Sequence, residues 1–552
     1  MMYDDIIVGG GSSGAVLAAR LSEDPKRNVL LLESGSFYAD IATTPTALLD
    51  HDNPVLSRYN WPVTGYVKDE SAIDTLSNAG KTLLASNNRF SMVKTAIAAG
   101  VTGESVVGQF EYPVGRVMGG SSSVNGALAL RAMPEDFIEW LRLGNEEWSW
   151  ESVLPYFKKL EQDIHHQGKE HGEHGPLSIY HEQVNNFNAL QGGFYRSCQQ
   201  LGFPTVSDFN CAGATGVGGF PKNINADQQR LSTSLAYLTK EVQARPNLVI
   251  QDQAHVHRVV MSQESGSSGR ATGVDTRVKG RSVHYQGRRI TLSAGVIHSP
   301  AILQRSGIGQ PQHLRSLGIE PLIDLPAVGQ NFLDHPVVSL WAIPKAGVCP
   351  IGERTHQAML RYTSAQSTRA HDMSLFMLSA FNPTMIPALH RLLNTDNAMA
   401  VSAVLGVPKS VGRVDIYSAD PNHSPKVYAN LLQDPEDSQR MLEGVRLAWS
   451  VLQQPDMKDL LKSIPLFHPA VIDDDKKLLQ MLSTFVRGSS HAMGTARMGS
   501  DSDTNSVVNQ QGQVHGCANL QVVDASIMPT TVCSSPNLTC IMLAEKIADA
   551  MK

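Results

Sequence analysis

Short continuous apolar runs alternate with stretches of helical spacing, and the alternation starts at the first residues. In "DIIVGGGSSGAVLAARLSEDPKRNVLLLESG", Ile6 to Val8 are apolar enough for a buried strand, and "AVLAARL" has helical apolar spacing. "NVLLLE" is a second buried strand ending at Glu33. Strand, turn, helix and strand in that order open an α/β unit with a parallel sheet. Later, "PEDSQRMLEGVRLAWSVLQQ" carries the stripe of an amphipathic helix, and "LTCIMLAEKIADAM" is apolar-periodic after Pro536. "SQESGSSGR", Ser262 to Arg270, reads as a short turn between strand-like runs, not as a domain break. From Trp61 to Pro113 the chain is rich in Ser, Thr, Asn, Gly and Ala, with one helix-like run, "SMVKTAIAAG". Without large apolar residues at regular spacing, residues 62–112 are expected to lie on the surface as an extended loop. A substrate lid, a dimer contact and a plain insertion are its three open roles.

The turn after the first strand has mechanical demands that its glycines meet. Gly9, Gly11 and Gly14 form G-x-G-x-x-G. Gly9 allows the tight turn, Gly11 lets a pyrophosphate approach the backbone, and Gly14 lets helix and strand pack closely. The helix N-terminus offers free N–H groups and partial positive charge to phosphates. Glu33 closes the second strand, where a carboxylate can accept hydrogen bonds from a ribose diol. The acid favours FAD or NAD over NADP and does not separate the first two.

Composition adds exclusions. The chain has 552 residues, too many for one simple core, so two or more lobes are expected. A net charge of −6 with no long basic run argues against nucleic acid and anionic membranes as partners. No apolar run reaches membrane-spanning length. The chain enters a strand pattern at once, so no secretory leader is expected. Its six cysteines are scattered without paired spacing, which fits neither a disulfide framework nor zinc, and a cytoplasmic location is the default. The histidines of "DIHHQGKEHGEHG", His165, His166, His171 and His174, read as a polar loop, and no metal is expected.

A second glycine-rich stretch, "YPVGRVMGGSSSVNGALALRAMPEDFIEW", surrounds three serines and Asn125 with glycines. Such a segment can lie along an extended ligand or form a flexible surface loop, and composition leaves both open. The stretch resembles the first signature of the glucose-methanol-choline (GMC) oxidoreductases, FAD-dependent enzymes. "SAGVIHSPAILQRSG" resembles the second, followed by "LPAVGQNFLDHP". "WSWESVLPYFKKLE", "HGEHGPL", "RLSTSLAYL", "RPNLVIQDQAHVHRVV", "HAMGTARMG" and "LQVVDASIMPTTVCSSPNLTCIMLAEKIAD" match in type and order, over nearly the whole chain.

The resemblance implies an α/β fold: a Rossmann-type FAD-binding domain beside an α+β substrate domain with an antiparallel sheet. Residues 1–160, 208–314 and 489–552 would form the first, and 161–207 with 315–488 the second. Gly9, Gly11, Ser13, Gly14 and Glu33 would hold the ADP half, with the Val256 backbone on the adenine. Gly119, Ser123, Asn125 and Gly126 would run along the flavin, and Asp524 would sit by the pyrophosphate or ribityl chain. Read without the resemblance, Val256 is a strand core residue and Asp524 a turn former. The region Trp341 to Val407 matches no motif. In the family it helps to line the substrate cavity.

His491, in "GSSHAMGTARMG", fits the family's histidine beside flavin N5, with Ala492 replacing the usual proline. Asn537 fits the second site position, which is His or Asn in the family. A neutral imidazole can take a hydroxyl proton while hydride leaves for N5. The Asn537 amide can hold the substrate oxygen, and Asn537 can also cap the helix that follows. Some relatives attach flavin to a histidine where this chain has Val124, so FAD is expected without a covalent link. The expected reaction is oxidation of a small-molecule alcohol to an aldehyde or ketone. Oxygen or a quinone or protein carrier would be the electron acceptor, and a homodimer stays open. Hydroxynitrile lyase, light-driven fatty-acid decarboxylase and a flavin-binding protein without catalysis are the alternatives.

Overall fold

The computed structural model describes residues 2–56, 58–68, 108–262, 269–365 and 367–552. One eight-stranded sheet is built on β1 (Met2–Val8), β2 (Val29–Leu32), β3 (Leu248–Gln251), β4 (Ala254–Ser262), β5 (Gly269–Val278) and β6 (Arg281–Leu292), in the order β3-β2-β1-β6-β5-β4. β3, β2, β1 and β6 run parallel, and Leu520–Val522 joins β6 in the same direction. Ile6, Ile7, Leu30 and Leu31 are fully buried, which explains why β1 and β2 read as continuous apolar runs: a parallel sheet is covered on both faces. Helix α1 (Gly14–Leu21) follows β1 and packs against the C-terminal helix Asn537–Met551. β4 and β5 pair antiparallel around the turn expected at Ser262 to Arg270, whose residues 263–268 lie outside the described residues.

The parallel strands end together. Gly9 follows β1, Glu33 follows β2, Ser293 follows β6, and Asp524 lies two residues past Val522. Chain segments from opposite ends of the sequence thus meet at the carboxyl edge of one sheet, the place where open α/β sheets bind ligands.

The second large sheet is antiparallel at its centre. β7 (Pro336–Pro344), β8 (Ala358–Tyr362), β9 (Met373–Phe381) and β10 (Ala398–Leu405) lie in the order β7-β10-β9-β8. Trp341 to Val407 therefore supplies mainly core strands. The amphipathic helix of the sequence, Pro435–Gln453, lies on β10, with the Asp434 side chain accepting from the Glu436 N–H at its start. The strand Gly216–Gly219 pairs with β8, so the second sheet claims residues that the sequence reading assigns to the FAD part. "GVGG" has no side-chain pattern to read, and its glycines serve close approach. A Cβ on Gly218 would lie 2.0 Å from the Val206 carbonyl oxygen, and one on Gly219 1.9 Å from that of Glu182.

Arg487–Gly488 pairs with the start of β7, Pro336 facing Gly488. This pairing sets His335 beside the segment that carries His491. Of the segment 62–112, Thr64–Tyr66 and Gln109–Glu111 pair antiparallel. Residues 69–107, on which the lid and dimer readings rest, lie outside the described residues.

Candidate active site

A cleft of about 1520 Å³, open to solvent, runs along the carboxyl edge of the parallel sheet. Gly9, Gly11, Ser12 and Ser13 form one wall. Gly9 has φ +98°, which a residue with a Cβ rarely adopts. A Cβ on Gly14 would stand 1.8 Å from the Gly9 carbonyl oxygen, so Gly14 serves helix–strand packing and lies behind the wall. Gly11 has nothing nearer than 3.8 Å to an added Cβ and leaves the cleft surface bare. Glu33 is buried. Its two oxygens accept from the Gly10 N–H at 2.9 Å and the Gly35 N–H at 2.7 Å.

Three helix starts open on this cleft: α1 through Ser12 and Ser13, α2 (Gly295–Arg305) through Ala294 to Val296, and α3 (Asn537–Met551) through Pro536, Asn537 and Cys540. Each directs partial positive charge toward the same space, which suits an anionic ligand. Asp524 lines the cleft and holds α2 in place: its Oδ2 accepts from the Gly295 N–H at 2.8 Å and the Ser299 hydroxyl at 2.6 Å. Asn537 is the first helical residue of α3, and Pro536 occupies the cap, so the capping role read from sequence does not hold. Asn537 Oδ1 accepts instead from the Ser12 hydroxyl at 2.8 Å, tying α3 to the glycine turn. The Ser535 hydroxyl is buried in the cleft wall without a partner.

His491 lines the cleft. Its backbone N–H donates to Asp334 Oδ1 at 2.9 Å, and the other Asp334 oxygen accepts from the Tyr112 hydroxyl at 2.6 Å. Its Nδ1 stands 3.0 Å from Nδ1 of His335, whose Nε2 is 2.8 Å from the Val532 carbonyl oxygen. Burial pushes His335 down to about 4, and burial followed by the His335 ring pushes His491 well below the usual histidine value, so both rings are neutral near pH 7. A carbonyl only accepts, so His335 carries its proton on Nε2 and its Nδ1 is bare. His491 must then donate through Nδ1, which leaves its Nε2 lone pair free. Burial also raises Asp334 to about 6, against the hydrogen bonds that it accepts. Nothing local in "LDHP" marks His335 and Asp334 as site residues, because their partners lie 156 and 157 residues away.

Asn125, Gly126 and Val256 line the cleft with Gly9, Gly11, Ser13, Glu33, Asp524, His491 and Asn537. Gly119 and Ser123 are not brought to it. They are buried behind the loop, Ser123 Oγ donating to the Met118 carbonyl at 2.8 Å and Gly119 N–H to that of Gly10 at 2.7 Å. The neighbours Gly120 and Ser121 line the cleft in their place. Beside Val256, the cleft holds a ring group the sequence did not flag: Trp61 lies 5.1 Å from His255 and 4.5 Å from His298, with the Arg116 guanidinium over its face. Among the described residues, none from Trp341 to Val407 lines this cleft. The histidine loop is not simply solvated either, since His171 is 4% exposed and sits among carboxylates.

Comparison with known proteins bears on this geometry. Family models described as GMC oxidoreductase match residues 3–337 and 408–544. The chain is 32% identical to 5-(hydroxymethyl)furfural oxidase of Methylovorus sp. (strain MP688), over 100% of this chain and 98% of that protein. It is 30% identical to oxygen-dependent choline dehydrogenase 1 of Chromohalobacter salexigens, over 100% and 95%. Among solved structures, pyridoxine 4-oxidase from Mesorbium loti superposes with a TM-score of 0.83 at 25% identity, over 99% of each chain.

Proposed function

The chain belongs to the GMC oxidoreductase family, and from that premise we propose that His491 is the general base of its reaction and Asn537 the group that holds the substrate oxygen. The protein is an FAD-dependent oxidoreductase acting on CH–OH donors. Relatives that oxidise alcohols do not favour the lyase and decarboxylase alternatives. The cleft fits the cofactor: a bare Gly11, a carboxylate at the ribose position, three helix starts for the phosphates, and the unpartnered Ser535 hydroxyl. Gly9, Gly11, Ser13 and Glu33 would hold the ADP half, with Val256 at the adenine. Asn125 and Gly126 would lie along the flavin and Asp524 near the pyrophosphate or ribityl chain.

Bound FAD would supply the two-electron acceptor for the substrate hydride. The protein would supply the proton acceptor and the orientation. The Nε2 lone pair of His491 takes the hydroxyl proton, and the His335–Val532 hydrogen bond keeps that lone pair available. The Asn537 side chain, anchored to Ser12, orients the substrate oxygen and hence its C–H bond. The fixed tautomer of His491 carries this reading. Replacing His491 with Ala or Asn should keep FAD bound and slow anaerobic flavin reduction by roughly 10²–10⁴. Reduction at the wild-type rate would remove His491 from the role.

FAD is held without a covalent bond in this reading, because Val124 is buried beside Leu48, Tyr59 and Val117 and offers no nucleophile. Acid precipitation should leave all yellow colour in the supernatant. A washed pellet that stays yellow rejects it. The domain division follows the two large sheets, with Gly216–Gly219 moved to the substrate side. Oxygen, a quinone or a protein carrier would reoxidise the flavin. A cytoplasmic location is part of the same reading. Among the described residues no helix is long and apolar enough to cross a membrane.

A further inference from the structure

Outside the cleft, three chain segments bring a second histidine group together: Glu161–His181, the loop at Asp208–Cys211, and Arg131. His171 Nε2 lies 2.8 Å from Asp208 Oδ2 and 3.8 Å from Cys211 Sγ, and that sulfur is 2.9 Å from the same Asp208 oxygen. On the far side of the ring, His171 Nδ1 is 3.3 Å from Glu161 Oε1 and 3.3 Å from Asp163 Oδ2. His181 Nε2 is 2.7 Å from Asp163, and its Nδ1 points toward Asp208 at 3.8 Å. His171 and His181 are 4% and 1% exposed, and their Nδ1 atoms face these carboxylates without a well-aligned hydrogen bond. His166 stacks edge-on against His181 at 4.4 Å and faces the same Asp208.

We propose that His171, Asp208 and Cys211 bind a divalent cation of the zinc type, which staples the Glu161–His181 segment to the Asp208 loop. The donor set is the argument. One imidazole nitrogen, one carboxylate and one sulfur lie within 4.8 Å of one another, a combination that suits zinc and excludes magnesium or calcium, which take oxygen only. Zinc held at about 2.0–2.3 Å sets tetrahedral ligand separations of about 3.3–3.8 Å, so the two shorter edges need to open by less than about 1 Å. Behind the ligand, Glu161 and Asp163 take the other nitrogen of His171, the arrangement that fixes a metal-bound imidazole in its tautomer. Glu161, Asp163 and Asp208 are three buried carboxylates, Arg131 ion-pairs with Glu161, and the remaining negative charge is met by a metal or by protons on His171 and His181. Cys211 would bind as thiolate and His171 through a deprotonated Nε2, both protons going to solvent, with water at the fourth position. The single thiol explains why cysteine spacing could not reveal the site.

The test uses untagged holoenzyme, dialysed against a chelator and then equilibrated with one equivalent of zinc or cobalt(II). The expected result is about one metal per chain by elemental analysis, a higher melting temperature with zinc, and tetrahedral cobalt bands with a sulfur-to-cobalt transition, read after subtracting the flavin spectrum. Cys211→Ser should remove the sulfur transition and His171→Gln should weaken binding by more than about tenfold, the least that losing even a group behind a metal ligand costs. His174→Ala, on the same loop and exposed, should change nothing. If either site variant fails to fold, the wild-type cobalt spectrum decides alone. A metal-free protein after equilibration, or bound cobalt with no sulfur transition, overturns the proposal and leaves a cluster in which protons on the histidines balance the carboxylates.

Discussion

Two histidine groups among the described residues face opposite surroundings. At the cleft, His335 and His491 meet each other and a backbone carbonyl, with Asp334 engaged on the backbone rather than on the rings. At the second group, His171 and His181 meet Glu161, Asp163 and Asp208 directly. Burial without a facing charge keeps an imidazole neutral and fit to accept a proton. Burial among carboxylates favours a cation, whether a proton or a metal. The residue type is the same, and the facing groups decide its chemistry.

Exchanging damage between the two groups gives the largest expected effects. His491→Ala should lower flavin reduction by roughly 10²–10⁴ while the melting temperature holds. His171→Ala should do the reverse, leaving buried carboxylates without their partner at about 3–5 kcal/mol of stability, with the reduction rate near wild type. Stopped-flow reduction and thermal melts on both variants check this, and equal loss of rate in the two would erase the contrast.

Next in size, His335→Phe should cost on the order of 10² in flavin reduction, because His491 loses the acceptor that fixes its tautomer and position. The decrease should appear in kcat with KM little changed. An unaltered kcat would show that the imidazole pair does not matter.

A smaller effect is expected from Gly488→Ala. A Cβ there would meet Asp334 Oδ2 at 2.2 Å, and that carboxylate is fixed by Tyr112 and by the backbone of His491. The strain should lower stability by about 1–3 kcal/mol and reduce the rate, since it displaces the support of His491. A denaturant melt at wild-type midpoint would contradict it.

Smallest is a pH effect on stability. Unfolded imidazoles take protons at their usual 6.5, while His335 resists down to about 4 and His491 also titrates low. Their contribution is therefore intact above 6.5 and is lost as pH falls toward 4. Asp334, raised to about 6, acts in the other direction: its contribution is full below 3.8 and is lost as pH rises through 6. The two rings therefore add a decline below 6.5, and the His335→Phe protein should show a shallower one. Identical slopes in the two proteins would place the titration elsewhere.

The sequence by itself determined the local machinery. The period of "IIV", "AVLAARL" and "NVLLLE" specified strand, helix and strand, and the glycine spacing specified the turn between them. Each of these is encoded within about thirty residues, where backbone geometry is set by neighbours along the chain. Tertiary structure alone decided the rest. It put Gly120 and Ser121 in the cleft wall and Gly119 and Ser123 behind it, because one turn of backbone reverses which side faces a ligand. It sent "GVGG" into the second sheet, where glycines allow approach and leave no pattern to read. It joined His335 to His491 through the pairing of β7 with Arg487–Gly488, and His171 to Cys211 through contact between two loops. Such partners are chosen by strand register and packing between distant segments, and a local pattern of residues does not encode which distant segment will arrive.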